Sequence, residues 1–253
     1  MMHMTMRWFG PEQDSITLQQ IRQVPGMEGI ITALHELPAG EPWPEDMVRE
    51  RKALVEKNGL KLLGIDSINV HEDITYGAST RDMYIENYIK SLEAVGKNDI
   101  HLVCYNFMPV FDWTRTDLAL PLEDGSTALA YDGKEIEGLS AEDMFERIAN
   151  NSNGFEMPGW ELSRKDEITA QINKFKGMTG DELRANFKYF LEAIMPTCEK
   201  YNIKMGVHPD DPSYDLFGIP RITKSEEDLV KIAGLYDSPL NGFTICTGSL
   251  GSN

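Results

Sequence analysis

Short apolar runs alternate along the chain with longer stretches whose apolar residues recur every three or four positions. That is the pattern of repeated β-α units built around a parallel sheet. Strands are expected at Met4–Phe9, Gly29–Leu34, within Leu60–Val70 (where Gly64 and Asp66 weaken the pattern), Ile100–Phe107, Ile203–Val207 and Gly242–Cys246. Helices are expected between them. Asp14–Val24 is entered at Asp14-Ser15 and left at Pro25-Gly26, and Glu45–Asn58 follows Pro44 and stops at Asn58-Gly59. Arg81–Lys97 carries Tyr84, Tyr88, Leu92 and Val95 on one core-facing stripe. Thr179–Tyr201 opens on the capping box Thr179…Glu182, and Lys224–Tyr236 opens on a second, Thr223…Glu226.

The rhythm breaks between residues 109 and 177, a polar stretch with Gly-Ser, Asp-Gly and Pro-Gly turn signals and only short helical candidates, Ser140–Ala149 and Lys165–Phe175. It reads as a lid-like insertion after strand four, inside one domain spanning residues 1–253. Six strands are two fewer than the eight that close a (β/α)8 TIM-type barrel. The last expected strand runs into Gly248-Ser-Leu-Gly-Ser-Asn253, a loop composition with no following helix. The expectation is therefore either an open doubly wound sheet or about six of the eight units of a C-terminally incomplete barrel.

Composition narrows the function. The 253 residues hold 24 Lys and Arg against 41 Asp and Glu, a formal charge of −17, with 41% hydrophobic residues. Disorder and collagen are excluded. No basic cluster exists to neutralise nucleic-acid phosphates or an anionic membrane, so neither is an expected partner. Three scattered cysteines suit a reducing compartment better than a disulfide framework. Met1–Gly10 lacks a signal-peptide pattern, and Ile100–Phe111 falls short of the roughly 20 residues that cross a bilayer. A cytoplasmic protein is expected. An unpaired sheet edge favours self-association, as a homo-oligomer such as a dimer.

In a parallel β-α array, catalytic groups stand at the carboxyl ends of the strands. The residues there are Arg7 and Trp8, His35, His71, Asn106, His208 and Cys246. His208, in Gly206-Val-His-Pro-Asp-Asp-Pro212, and Cys246 are candidate ligands of one divalent metal, since imidazole and thiolate both donate to such ions. An isolated cysteine is more often an apolar filler; the pairing with His208 and the following Thr247-Gly-Ser-Leu-Gly loop favour the metal role. His35 and His71 balance evenly between structural histidines and substrate donors. Arg115, in Phe111-Asp-Trp-Thr-Arg-Thr-Asp117, is suited to a carboxylate or a polyol, against the plainer reading of a surface ion pair with Asp112 or Asp117. Glu72-Asp73 and Asp210-Asp211 read equally as bases, ligands or solvated turns. No glycine-rich phosphate loop is present.

These segments resemble the mannonate dehydratases of hexuronate (glucuronate) catabolism. The likeness lies in Met6-Arg-Trp-Phe-Gly10, Ala33-Leu-His-Glu-Leu-Pro-Ala-Gly40, Val70-His-Glu-Asp-Ile74, Val103–Asp117, Gly206–Pro212 and Cys246–Gly251. The resemblance implies a xylose-isomerase-like TIM barrel, a lyase that dehydrates D-mannonate to 2-keto-3-deoxy-D-gluconate, and a divalent manganese or iron(II) ion. It maps two metal ligands onto His208 and Cys246 and places a further His, an Asp and the acid/base residues beyond Asn253, so no catalytic acid or base is assigned in this chain. By softness alone a thiolate would favour zinc. Arg7 and Arg115 are expected to build a positive pocket, His35, His71 and Asn106 to hold the sugar-acid hydroxyls, and Trp8 or Trp113 to present an apolar face. Alternatives are another metal-dependent barrel isomerase or hydrolase, or a non-catalytic remnant with an incomplete metal site. If the 253 residues were the whole polypeptide, little or no activity is expected of them.

Overall fold

The computed structural model describes residues 2–111, 113–140, 143–145 and 165–251. Its strands are β1 (Thr5–Arg7), β2 (Gly29–Thr32), β3 (Lys61–Ile65), β4 (Leu102–Tyr105), β5 (Asp117–Pro121), β6 (Thr127–Ala130), β7 (Lys204–Val207) and β8 (Asn241–Phe243). The helices used below are α1 (Leu18–Arg22), α2 (Glu45–Lys57), α3 (Glu72–Tyr76), α4 (Arg81–Lys97), α5 (Gly133–Ile136), α6 (Lys165–Phe175), α7 (Gly180–Tyr201), α8 (Glu226–Ala233) and α9 (Thr247–Leu250). The chain forms two compact units. The first comprises Met1–Phe107, Ala185–His208 and Lys231–Ile245; the second comprises Met108–Arg184, Pro209–Val230 and Cys246–Asn253.

The first unit holds a six-stranded sheet in the order β1-β2-β3-β4-β7-β8, parallel at every pairing. All six expected strands are present, in an open parallel α/β sheet consistent with a TIM-type barrel, with β1 and β8 as its outer strands. The interior strands are apolar on both faces, as they must be when helices cover a parallel sheet. In β2, for example, Ile30 and Thr32 on one face are fully buried and Ile31 on the other is half-buried. Gly64 sits where β2 and β3 slip register: Ile30 pairs with Leu62 but Ile31 pairs with Gly64, so Leu63 is the extra residue of a bulge. A Cβ at Gly64 would lie 3.1 Å from both Ile31 and Leu102 side chains, so the residue that weakens the strand pattern also permits the close approach.

Helix faces follow the pattern with local differences. In α4 the core stripe is Ile85, Tyr88, Leu92 and Val95; Tyr84 is only half-buried and stacks on the His71 imidazole, with centroids 3.5 Å apart and planes 12° apart. The first helix is shorter than expected, because its box is Thr17 with Gln20, whose side chains satisfy each other's backbone N–H. Asp14 instead accepts from Phe9 N and Ile16 N in the preceding loop. The box at Thr179 and Glu182 forms as expected. At α8 the cap is Ser225, whose Oγ accepts from Asp228 N, because the Thr223 amide is already spent on Asp210.

The second unit contains an antiparallel hairpin, β5 with β6, closed by a turn in which Ser126 N donates to Asp124. It also holds α5, and α6 with Ile168, Ile172 and Phe175 buried along one stripe. The hairpin was not expected from sequence: its apolar runs, Leu118–Leu120 and Ala128–Ala130, are three residues each and lie in a stretch dominated by polar turn signals. Of the Ser140–Ala149 helix, residues 143–145 are helical; residues 141–142 and 146–149 lie outside the described residues, as does Asp112. Among the described residues no helix is long and apolar enough to cross a membrane.

Candidate active site

In the first unit, the ends of β1, β2 and β3 bring Arg7, His35 and Asp66 together. Arg7 Nε pairs with Asp66 Oδ2 at 2.5 Å, its guanidinium lies 4.4 Å from the centroid of the Phe9 ring, and that ring is 5.2 Å from His35. His35 Nε2 is buried without a hydrogen-bond partner. Burial, then the nearby Arg7 charge, hold this imidazole below its usual pKa. The folded ring therefore binds its proton more weakly than the unfolded one, whose value is about 6.5. As pH falls through that value the unfolded state takes up the proton first, so the stability contributed by neutral His35 is complete above it and declines below it. Thermal unfolding of the protein and of His35→Gln across about pH 8 to 5 is expected to show the steeper acid decline in the unmodified protein; parallel curves would refute this.

Trp8 is buried, its indole N–H donating to Ile16 O at 3.0 Å, so its ring belongs to the core. His71 sits beyond the end of β3 as the N-cap of α3, Nδ1 accepting from Asp73 N at 3.1 Å; in the neutral ring that leaves the proton on Nε2. Gly40 lies directly against this histidine and Tyr84, where a Cβ would approach both within 3 Å. Asn106, half-buried, follows β4. His208 stands at the neighbouring strand end, its N–H bonded to Tyr105 O at 2.8 Å, so Asn106 and His208 leave adjacent strands side by side.

In the second unit, Arg115 meets Asp211 in a two-pronged ion pair, Nη1 to Oδ1 and Nη2 to Oδ2 both at 2.9 Å, and donates also to Thr114 O. The partner is thus Asp211, and not Asp117, which accepts from Ala119 N. Three of the guanidinium's five N–H donors are committed in this way. The pair lines a cavity of about 850 Å3 together with Tyr131, Tyr214, Lys134 and Gly248. The Tyr131 and Tyr214 rings lie nearly parallel, 12° apart in plane, and burial raises the Tyr131 hydroxyl above its usual pKa. Both arginines expected to form a positive pocket are therefore balanced by acids, Arg7 by Asp66 and Arg115 by Asp211.

Cys246 lies three residues past β8 as the N-cap of the one-turn helix α9, not inside a strand and not in a plain loop. Its sulfur accepts from Ser249 N at 3.5 Å and Ser249 Oγ at 3.3 Å, and Ser249 O accepts from buried Ser213 at 2.9 Å. Cys246 is half-buried among polar donors, so it is no aliphatic filler. A Cβ on Gly248, a cavity-lining residue, would be 3.8 Å from that sulfur. Among the described residues no group of three or more His, Cys, Asp or Glu gathers as a metal's ligand set. Imidazole and thiolate each donate to divalent ions, so His208, in the first unit, and Cys246, in the second, are each suited in chemistry to be a ligand.

Asp211, Tyr131, Tyr214 and Ser249 were not assigned from sequence. The signal available was the acidic Asp210-Asp211-Pro212 turn, whose partner lies 96 residues away.

A model of the D-mannonate dehydratase (UxuA) family matches residues 2–253. The chain is 54% identical over 252 residues to a mannonate dehydratase of Brachyspira hyodysenteriae, covering all of this chain and 71% of that protein. It is 48% identical to one from Geobacillus thermodenitrificans, covering 68% of that protein. The crystal structure of mannonate dehydratase from Streptococcus suis serotype 2 superposes with a TM-score of 0.88 at 43% identity, over all of this chain and 66% of that one. The parallel sheet, the strand-end residues and these matches converge, and the chain belongs to the D-mannonate dehydratase family of hydro-lyases.

Proposed function

We propose that the protein dehydrates D-mannonate to 2-keto-3-deoxy-D-gluconate in the cytoplasm, as a homo-oligomer. The divalent ion it needs is manganese or iron(II), held in part by His208 and Cys246. The observation that carries this reading is the match to one family over residues 2–253. Loss of water from a sugar acid removes the proton beside the carboxylate and expels the neighbouring hydroxyl. When bound, a divalent cation supplies Lewis-acid stabilisation of the negative charge that builds on the carboxylate side.

The chain's own residues bind and orient. Arg115, held in orientation by Asp211, offers the substrate its two uncommitted N–H groups. Tyr131 and Tyr214 add hydroxyls and ring faces to the same cavity wall. His35, kept neutral by burial, and His71, with its proton on Nε2, act as hydrogen-bonding groups toward sugar hydroxyls, with Asn106. Arg7 and Trp8 complete the set, Arg7 by charge and Trp8 by fixing the loop that carries Phe9. The open outer strands of the sheet support self-association, and the charge of −17 disfavours nucleic acid.

The test uses the full natural polypeptide, stripped of metal and reloaded with manganese, iron(II) or zinc, with D-mannonate and an assay for 2-keto acid. Metal-dependent 2-keto acid formation is the expected result. Absence of product with all three ions, or isomerisation of a neutral sugar instead, would overturn the assignment.

A further inference from the structure

Two Arg–Asp pairs share the Asp210-Asp211 turn of the second unit. The outer pair, Arg115 with Asp211, faces the cavity. The inner one is Arg221, whose side chain is 0% exposed, with Asp210, at 3.6 Å between Nη1 and Oδ1. Arg221 Nη1 also donates to Phe111 O at 2.9 Å, while its own backbone N–H donates to cavity-lining Asp215 at 2.9 Å. Asp210 in turn accepts from Thr223 N at 2.6 Å. Between the two pairs the backbone is stitched by Thr114 N to Asp211 O at 3.2 Å and by a parallel bridge from Trp113 to Asp211.

A guanidinium withdrawn from water is costly unless its donors are used, and two of Arg221's nitrogens, Nε and Nη2, are buried without partners. Keeping such a group is hard to explain by stability alone, since an apolar pair of similar volume is often as stable. What an apolar pair could not do is fasten Phe111 O to the turn that carries Asp211. Arg115 lies four positions after Phe111, so this fastening sets where the outer guanidinium stands.

We propose that Arg221 is a positioning residue of the sugar-acid site: it ties the Phe111–Arg115 segment to the Asp210–Asp215 turn and so fixes the Arg115–Asp211 pair on the cavity wall. The inference rests on the dehydratase reading for its kinetic consequence, but its structural consequence can be read without turnover.

The experiment compares the full natural polypeptide with Arg221→Met, Arg221→Lys and the double variant Asp210→Asn/Arg221→Met, by unfolding temperature, kinetics on D-mannonate, and hydrogen exchange of residues 111–116. Arg221→Met is expected to lose stability and to raise KM about tenfold, with a smaller change in kcat. The double variant removes both buried charges and regains the unfolding temperature; its KM stays raised and amides 111–116 stay fast-exchanging, because a methionine at 221 has no N–H to give Phe111 O. Arg221→Lys, which keeps a donor, recovers part of the KM. If the double variant restores KM and exchange protection along with stability, Arg221 is only a counter-charge and the proposal fails. If the unmodified protein has no turnover, the dehydratase reading fails, and exchange at 111–116 alone then decides whether Arg221 fastens this segment.

Discussion

Alanine at both His208 and Cys246 is expected to strip the protein of its divalent ion through dialysis and to lower kcat/KM on D-mannonate by about 10^3-fold, roughly 4 kcal/mol of transition-state stabilisation. The fold should survive. The His208 contribution to the sheet runs through its backbone N–H to Tyr105 O, at the end of the β4–β7 pairing, which alanine keeps. Cys246 does have a local structural task, capping α9 through Ser249, so Cys246→Ser separates the two roles. Serine is among the best N-caps and accepts the same N–H, so this variant should unfold within about 1 °C of the parent. It exchanges a soft donor for a hard one, and is expected to weaken zinc more than manganese. Metal analysis after dialysis, paired with turnover, reads both outcomes. A stoichiometric ion retained by the double alanine variant would remove these residues from the metal site.

The strands were legible because a buried parallel strand is a short apolar run between turn residues, as in β2, β3, β4 and β7, whereas the outer strands β1 and β8, exposed or half-buried, stood out only by their place in the alternation. Helix α6, Lys165–Phe175, was legible to the residue, its apolar positions falling on one stripe. Caps were less legible, because several residues near each helix start can cap and tertiary partners choose among them: Asp210 takes the Thr223 amide and leaves Ser225 to cap α8. The hairpin β5–β6 was missed because its apolar runs are only three residues long, Leu118–Leu120 and Ala128–Ala130, inside a stretch of polar turn residues. At the site, Arg115 stood out by its guanidinium at the root of the insertion, while position at a strand end singled out Arg7, Trp8, His35, His71, Asn106, His208 and Cys246, since only the topology is needed for that. It could not reveal that Arg7 and Arg115 are each balanced by an acid, because Asp66 and Asp211 are remote in sequence and nothing local distinguishes them from solvated carboxylates. The short helix after β8 was missed because its cap is a cysteine, a residue rarely read as one.

Phe187→Ala is expected to cost about 3–5 kcal/mol, and about 10 °C of unfolding temperature. Phe187 lies on the face of α7 that carries Phe190, Leu191, Ile194 and Cys198, all fully buried. Its ring stacks on Phe107 with centroids 4.3 Å apart and meets Tyr105 edge-on at 6.1 Å. Truncation thus deletes a ring from a close-packed aromatic cluster that the rigid sheet behind it cannot collapse to fill. The cluster also supports the site, since Tyr105 O anchors the His208 backbone and Tyr105 and Phe107 flank Asn106. Loss of the ring should therefore raise KM for D-mannonate at temperatures where the variant is still folded. Tyr189, two residues away, is the internal control. It is partly exposed, stacks under Arg81 and hydrogen-bonds Asp82 at 2.9 Å, so Tyr189→Ala should cost no more than about 1 kcal/mol. Calorimetry on both variants checks the contrast, and equal losses would mean that the inner face of α7 is not packed against β4 in the way its buried rings indicate.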